Sequence, residues 1–194
     1  MSWAIYGAYG YTGRLIAAEA VARGMTPILA GRDAVRLAGL AAELKLEWRA
    51  FGLEDGAALA RAIEPLDLVL HAAGPFARTS APMVRACLAT GTDYLDITGE
   101  IPVLEAIYLR DAEARSAGVA LLPAVGFDVV PSDCLALHVA RRVGQPVELE
   151  IAIAPSGRAS AGTTRTVLAS LAGRRTLGVV RRDGSLVERR IGET

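Results

Sequence analysis

Little in this chain suits disulfide or metal chemistry. It has two cysteines and two histidines in 194 residues. Cys87 and Cys134 fall in apolar helical stretches with no CxxC pair, so both are expected to be buried free thiols in a reducing compartment. His71 and His138 are far apart in sequence, and no metal site is expected from them. Net charge is missing as well, because 21 basic and 21 acidic side chains cancel. That removes the field that would recruit nucleic acid or an anionic membrane surface. Lysine is nearly absent, Lys45 being the only one. Long apolar runs are lacking too. The most apolar, Val119–Phe127, contains Pro123 and Gly126 and is too short to span a bilayer. The chain opens directly on a strand-like run, Ser2–Tyr6, with no signal-peptide pattern. The expectation is a cytoplasmic protein without a membrane span or a nucleic-acid partner.

What remains is globular composition, 52% hydrophobic and 22% charged. Short apolar runs alternate with helical patterns, the signature of a parallel sheet covered by crossover helices. Strands are predicted at Trp3–Tyr6, Pro27–Ala30, Leu46–Phe51, Leu66–Ala72, Asp93–Ile97 and Val119–Ala124. Helices are predicted near 13–23, 34–44, 55–63, 81–89 and 102–117, with another near Ser132–Arg142. Gly24, Gly91 and Gly118 stand where helices should stop, and Pro82 and Pro102 suit first helical turns. The fold class is α/β, a doubly wound Rossmann domain over residues 1–143. Residues 144–194 change pattern: a strand at Val147–Ala154, a helix at Thr163–Leu171 and a hairpin at Val179–Arg190 turning on Asp183-Gly184. This segment reads as the start of an incomplete second α/β domain. Its uncovered edges and faces predict a homodimer through the C-terminal segment.

The stretch Tyr6–Leu15, YGAYGYTGRL, places Gly7, Gly10 and Gly13 between a strand and a helix. In a dinucleotide-binding turn the first glycine permits the bend and the second lets a pyrophosphate approach the backbone. The third lets helix and strand pack closely. The free amides of the helix start then hold the phosphates, and Thr12 adds a hydroxyl. A ligand-free corner is the alternative. The second strand ends in Gly31-Arg32-Asp33. A carboxylate there would bind the NAD ribose, whereas an arginine suits the 2′-phosphate of NADP. Arg32 therefore favours NADP over NAD, and Asp33 fits as the cap of the next helix.

The short-chain dehydrogenases share this kind of turn, but their chemistry pairs a tyrosine with a lysine four residues later. Lys45 is preceded at that spacing by Ala41, so the pair is absent.

In sequence order, YGAYGYTGRLIA, LAGRD, HAAGPFA, TDYLDITGE and GFDVVPSD follow one another. Together they resemble the saccharopine dehydrogenase-like oxidoreductases, a group that includes trans-acting enoyl reductases. The resemblance runs from about residue 3 to the end. It implies an NAD(P)-binding Rossmann domain followed by an α/β domain that shapes a substrate cleft. On that basis Gly7, Tyr9, Gly10, Tyr11, Thr12 and Gly13 form the phosphate loop, and Arg32 meets the adenosine end. Gly74, Pro75 and Phe76 lie beside the ribose and nicotinamide, a plain turn being the alternative for Gly74-Pro75. Members usually extend well past residue 194, so the substrate cleft is expected to be incomplete here.

Strand alternation puts Tyr94, Asp96 and Thr98 on one face, where a carboxylate needs a partner. Gly99 and Glu100 follow, with helix capping as a role for Glu100. Asp128, Pro131, Ser132 and Asp133 lie where the sixth strand feeds its helix, with Ser132 either an N-cap or a substrate contact. Tyr94, Asp96 and Asp128 are proton-donor candidates by location. His71 reads as a strand residue and His138 as part of a helix face with Leu135 and Val139. The function implied is hydride transfer between the nicotinamide and a carbonyl, imine or enoyl substrate. The alternative is an NADP-binding module, a sensor or scaffold without turnover.

Overall fold

The computed structural model describes residues 1–145, 147, 149–152, 164, 177–182 and 185–190. The first unit, Met1–Ser156, alternates strands and helices. It runs β1 (Trp3–Tyr6), α1 (Tyr11–Ala22), β2 (Ile28–Gly31), α2 (Ala34–Leu44), β3 (Trp48–Ala50), α3 (Gly56–Ile63) and β4 (Leu68–His71). Then come α4 (Phe76–Thr90), β5 (Asp93–Asp96), α5 (Ile101–Tyr108), α6 (Asp111–Ala117), β6 (Leu121–Leu122) and α7 (Val130–Val143). All six strands are parallel, in the order β3-β2-β1-β4-β5-β6.

Helices cover both faces of this sheet, which is why β1 and β2 are apolar without interruption. Ala4 and Tyr6 of β1 point to a core with Leu59, Ile63, Met83, Cys87, Tyr94 and Ile107. Ile5, between them, points to the other core with Ala17, Leu29, Leu37 and Leu40. Each fully buried leucine, isoleucine or valine contributes roughly 1.5–3 kcal/mol. Local chemistry sets several helix ends. The Asp33 carboxylate accepts from the Arg36 amide at 3.0 Å, and Asp55 accepts from the amides of Ala57 and Ala58. Those two amides hold the Asp55 carboxyl below its usual range. Gly91 and Gly118 close α4 and α6 in the left-handed region.

Several expectations need correction. Pro82 lies inside α4, not in its first turn. The helix begins at Phe76 because the first amides of α4 find a carboxylate from another part of the chain (below). The helix predicted over 102–117 is two: the Arg110 amide bonds the Ile107 carbonyl, a tightened turn that ends α5 before α6 starts. Ser132 is not an N-cap. It lies within α7, and its hydroxyl donates to the Val129 carbonyl at 2.9 Å. Cys87 is buried, but Cys134 is exposed, because no residue of α7 is buried. His138, Leu135 and Val139 share that exposure.

In the second unit, Gly157–Thr194, β7 (Leu177–Arg182) and β8 (Ser185–Arg190) form an antiparallel pair with Arg182 opposite Ser185. The expected Asp183-Gly184 turn lies outside the described residues, as does the expected Thr163–Leu171 helix apart from Thr164. Of the strand expected at Val147–Ala154, residues 147 and 149–152 are in no strand and the rest are outside the described residues. Among the described residues no helix is long and apolar enough to cross a membrane, and no cluster suited to a metal ion occurs.

Candidate functional site

From β1 the chain winds outward to β2 and β3, then returns to place β4 on the other side of β1. Successive crossovers therefore diverge above the β1–β4 pair and open a crevice at the carboxyl ends of the strands. The glycine turn fills one wall of that crevice. Gly7 has φ +88, and a Cβ on it would stand 2.8 Å from the Ala73 Cβ, so only glycine lets the β1 and β4 exits meet. A Cβ on Gly13 would overlap the Gly7 carbonyl oxygen and approach Ala8 Cα to 2.9 Å. The Gly10 amide donates to the Gly7 carbonyl at 2.9 Å, and the Arg14 amide to Gly10 at 2.9 Å. The first-turn amides of Tyr11, Thr12 and Gly13 have no acceptor within the helix and face outward at the positive end of its dipole. Tyr11 is exposed beside them. The cradle fits a pyrophosphate.

Tyr9 leaves the turn sideways. Its ring edge lies 2.7 Å from where a Cβ on Gly31 would sit. On the other side the Arg36 guanidinium stands 4.5 Å from the Tyr9 ring centroid and donates to the Tyr9 carbonyl at 3.3 Å. Arg32 is exposed at the end of β2. One guanidinium, that of Arg36, is thus stacked on the glycine turn itself. Sequence reasoning missed Arg36, since nothing marks one arginine among so many.

Beyond β4, the Gly74–Pro75 peptide is cis, and Thr79 holds the turn from beneath. Its hydroxyl bonds the carbonyls of Ala73 at 2.7 Å and Pro75 at 3.1 Å. His71 Nε2 lies 3.0 Å from the same oxygen. With the Thr79 proton directed at carbonyls, Nε2–H is the donor to Thr79 and Nδ1 carries no proton. That Nδ1 is buried without a partner among the described residues. The ring stacks on Tyr6 at 5.4 Å and meets the Phe76 ring edge-on at 5.4 Å. Burial pushes the His71 pKa down to about 3, so it is neutral.

Tyr94, Asp96 and Thr98 do share a face, and all are fully buried. Asp96 Oδ2 accepts from the Tyr94 hydroxyl at 2.7 Å, and Oδ1 accepts the amides of Thr98 at 3.0 Å and Ala124 at 2.9 Å. Burial first, then the Asp96 charge, pushes the Tyr94 hydroxyl well above its usual pKa. The carboxylate ties the end of β5 to Ala124, a non-glycine residue at φ +60. Glu100 does not cap its own helix by its side chain; it reaches Phe76 and Ala77 at the start of α4. Asp128 is exposed, its Oδ2 lying 2.5 Å from a Cβ position on Gly99 and its Oδ1 2.9 Å from one on Gly126. Those two glycines make room for it. Of the three proton-donor candidates, Asp128 alone reaches the surface.

The strand order, the glycine turn and the cleft above β1 and β4 define a dinucleotide-binding Rossmann domain. Residues 3–122 match the saccharopine dehydrogenase NADP binding domain family. The chain belongs to that family, and NADP is its cofactor. Trans-acting enoyl reductases of Mycobacterium tuberculosis and Mycobacterium leprae are 35% and 36% identical to it over 153 and 151 residues. These matches cover 71% and 72% of this chain, but the chain spans only 35% of the length of either relative. Saccharopine dehydrogenase from Saccharomyces cerevisiae shares the fold, with a TM-score of 0.60 at 18% identity, covering 74% of this chain and 30% of that one.

Proposed function

We propose that the cleft above β1 and β4 is the NADP site of an oxidoreductase that passes hydride between the nicotinamide and a carbonyl, imine or enoyl substrate. The observation that carries this reading is the cradle at Gly7, Gly10 and Gly13, joined through Tyr9 to Arg36 of α2, with Arg32 exposed at the end of β2. In it the amides of Tyr11, Thr12 and Gly13 receive the pyrophosphate. Arg32 and Arg36 take the 2′-phosphate, with Arg36 resting on the Tyr9 ring. Gly74, Pro75 and Phe76 border the nicotinamide ribose. When bound, NADPH supplies the hydride. Asp128 is the proton-donor candidate placed to meet a substrate, whereas Tyr94 and Asp96 are spent on holding the rim together. The identity of the curated relatives supports an enoyl substrate within the named classes. Residues 144–194 are read as the start of a second domain, through which two chains associate.

The test is titration of the chain with NADPH and NADH, followed by cofactor fluorescence, with Arg32→Ala and Arg36→Ala as variants. Losing one charge-assisted hydrogen bond costs about 1.5–3 kcal/mol, or roughly 10- to 150-fold in affinity. Arg32→Ala is expected to lose that much for NADPH and almost nothing for NADH, and Arg36→Ala, which also releases Tyr9, to lose more for NADPH than for NADH. A wild-type chain that binds neither, or variants that keep full preference for NADPH, would overturn the assignment. Tight binding with no NADPH oxidation across carbonyl and enoyl substrates, by this chain and by a longer one, would favour a holding module over an enzyme.

A further inference from the structure

The turn between β4 and α4 is held by a residue that the cofactor reading leaves unused. We propose that Glu100 is a positioning residue for the nicotinamide end of NADP: from the β5 side its carboxylate clamps the start of α4 and so sets the Ala73–Phe76 turn against the phosphate loop. This rests on the NADP assignment above. Glu100 touches neither the phosphate loop nor the arginines, and it acts through α4.

The clamp uses both carboxylate oxygens. Oε1 accepts from the Phe76 amide at 2.8 Å and Oε2 from the Ala77 amide at 2.9 Å. A one-to-one pairing of this kind fixes orientation as well as distance. The residue preceding α4 is Pro75, which offers no side-chain cap, so Glu100 is what satisfies these first-turn amides. Its negative charge also sits at the favourable end of the helix dipole. Glu100 is itself held in place: its amide donates to Thr98 Oγ1 at 3.0 Å, and the Thr98 amide donates to Asp96 Oδ1 at 3.0 Å. With Thr98 and Asp96 fully buried, the clamp is anchored in the core.

The turn then has little freedom. The Ala73 and Pro75 carbonyls are taken by Thr79, and the Phe76 and Ala77 amides by Glu100. Gly74 keeps its N–H and C=O without partners among the described residues and is exposed. Its peptide groups are therefore what the turn offers to the cleft. Ala73 also stands against Gly7, so a turn freed from its clamp can only move away from the phosphate loop, which leaves that loop in place.

Two ligands separate positioning from general damage: NADPH, and adenosine 2′,5′-bisphosphate, which lacks the nicotinamide half. Affinities of the chain and its Glu100→Ala and Glu100→Gln variants are measured for both by calorimetry. Glu100→Ala is expected to weaken NADPH about tenfold or more while the bisphosphate stays within about twofold, because the freed turn must be reordered when the nicotinamide half binds. Glu100→Gln retains one acceptor and should show the same split at smaller size. If far-UV circular dichroism shows that the alanine variant does not fold, the glutamine variant decides. Parallel loss of both ligands, or no loss of either, overturns the inference. Should the wild-type chain bind neither ligand, the NADP assignment itself fails, which is a separate result from a split that does not appear.

Discussion

A methyl group added at Gly13 should act opposite to the same methyl at Gly39, although both glycines lie in helices. In an open helical position, alanine is favoured over glycine by about 1 kcal/mol. Gly39 in α2 is such a position, with nothing within 4 Å of its Cβ site. At Gly13 the new methyl overlaps the Gly7 carbonyl oxygen and comes within 2.9 Å of Ala8 Cα and of the Gly7 carbonyl carbon. All three neighbours are backbone, so no side chain can swing aside. Carbon contacts sit at about 3.5–4.0 Å, so α1 would have to retreat from the turn by roughly 0.6 Å or more. Overpacking of this kind costs about 1–3 kcal/mol, which outweighs the propensity gain. The same retreat moves the Tyr11–Gly13 amides away from any bound pyrophosphate.

Urea unfolding and NADPH titration of Gly13→Ala and Gly39→Ala make the comparison. Gly39→Ala should raise stability by about 0.5–1 kcal/mol and leave NADPH affinity alone. Gly13→Ala should lower stability by up to about 2 kcal/mol, the difference between the two opposing terms, and weaken NADPH sharply. In a chain of this size each kcal/mol moves the melting midpoint by roughly 2–4 °C. If Gly13→Ala proves as stable as the wild type and binds NADPH as well, the close approach of α1 to β1 is not what builds the cradle.

Two further outcomes follow from the buried polar groups. The folded pKa of His71, about 3, lies below the unfolded value near 6.5, so between these values the unfolded chain binds a proton that the folded chain refuses. The contribution from His71 is complete above about pH 6.5 and falls by up to about 1.4 kcal/mol per unit as the pH drops toward 3. Unfolding free energies from pH 4 to 6.5, set against His71→Gln, should show that extra slope in the wild type; identical slopes would refute it. Tyr94→Phe removes the donor to a fully buried Asp96 oxygen and should cost about 1–3 kcal/mol of stability. Because Tyr94 is a rim support, NADPH affinity of the folded variant should barely change, and a loss of binding without loss of stability would return Tyr94 to the list of catalytic candidates.

The parts of this molecule that depend on neighbours in sequence were legible in the sequence. Trp3–Tyr6 is β1 and 34–44 is α2 to the residue, because continuous apolar runs and the Leu37, Leu40, Ala41, Leu44 spacing are local signals. The same holds for the turn at Gly7–Gly13, the Asp33 cap and the shared face of Tyr94, Asp96 and Thr98. Each follows from chain geometry over a few residues.

What the tertiary structure decided involves partners far apart in the chain. Asp96 meets Ala124 across 28 residues and Glu100 meets Phe76 across 24, and no spacing rule links such pairs. Glu100 is also why α4 starts before Pro82: a cap supplied from another strand end leaves no mark beside the helix it caps. Arg36 came to the glycine turn only when α2 packed beside it and laid its guanidinium on Tyr9. By itself the sequence determined the sheet, the cradle and the family, since those are written in local pattern. The clamp on the cofactor turn and the retirement of Tyr94 and Asp96 into the core were decided by packing, because burial and long-range hydrogen bonds exist only once the strands lie side by side.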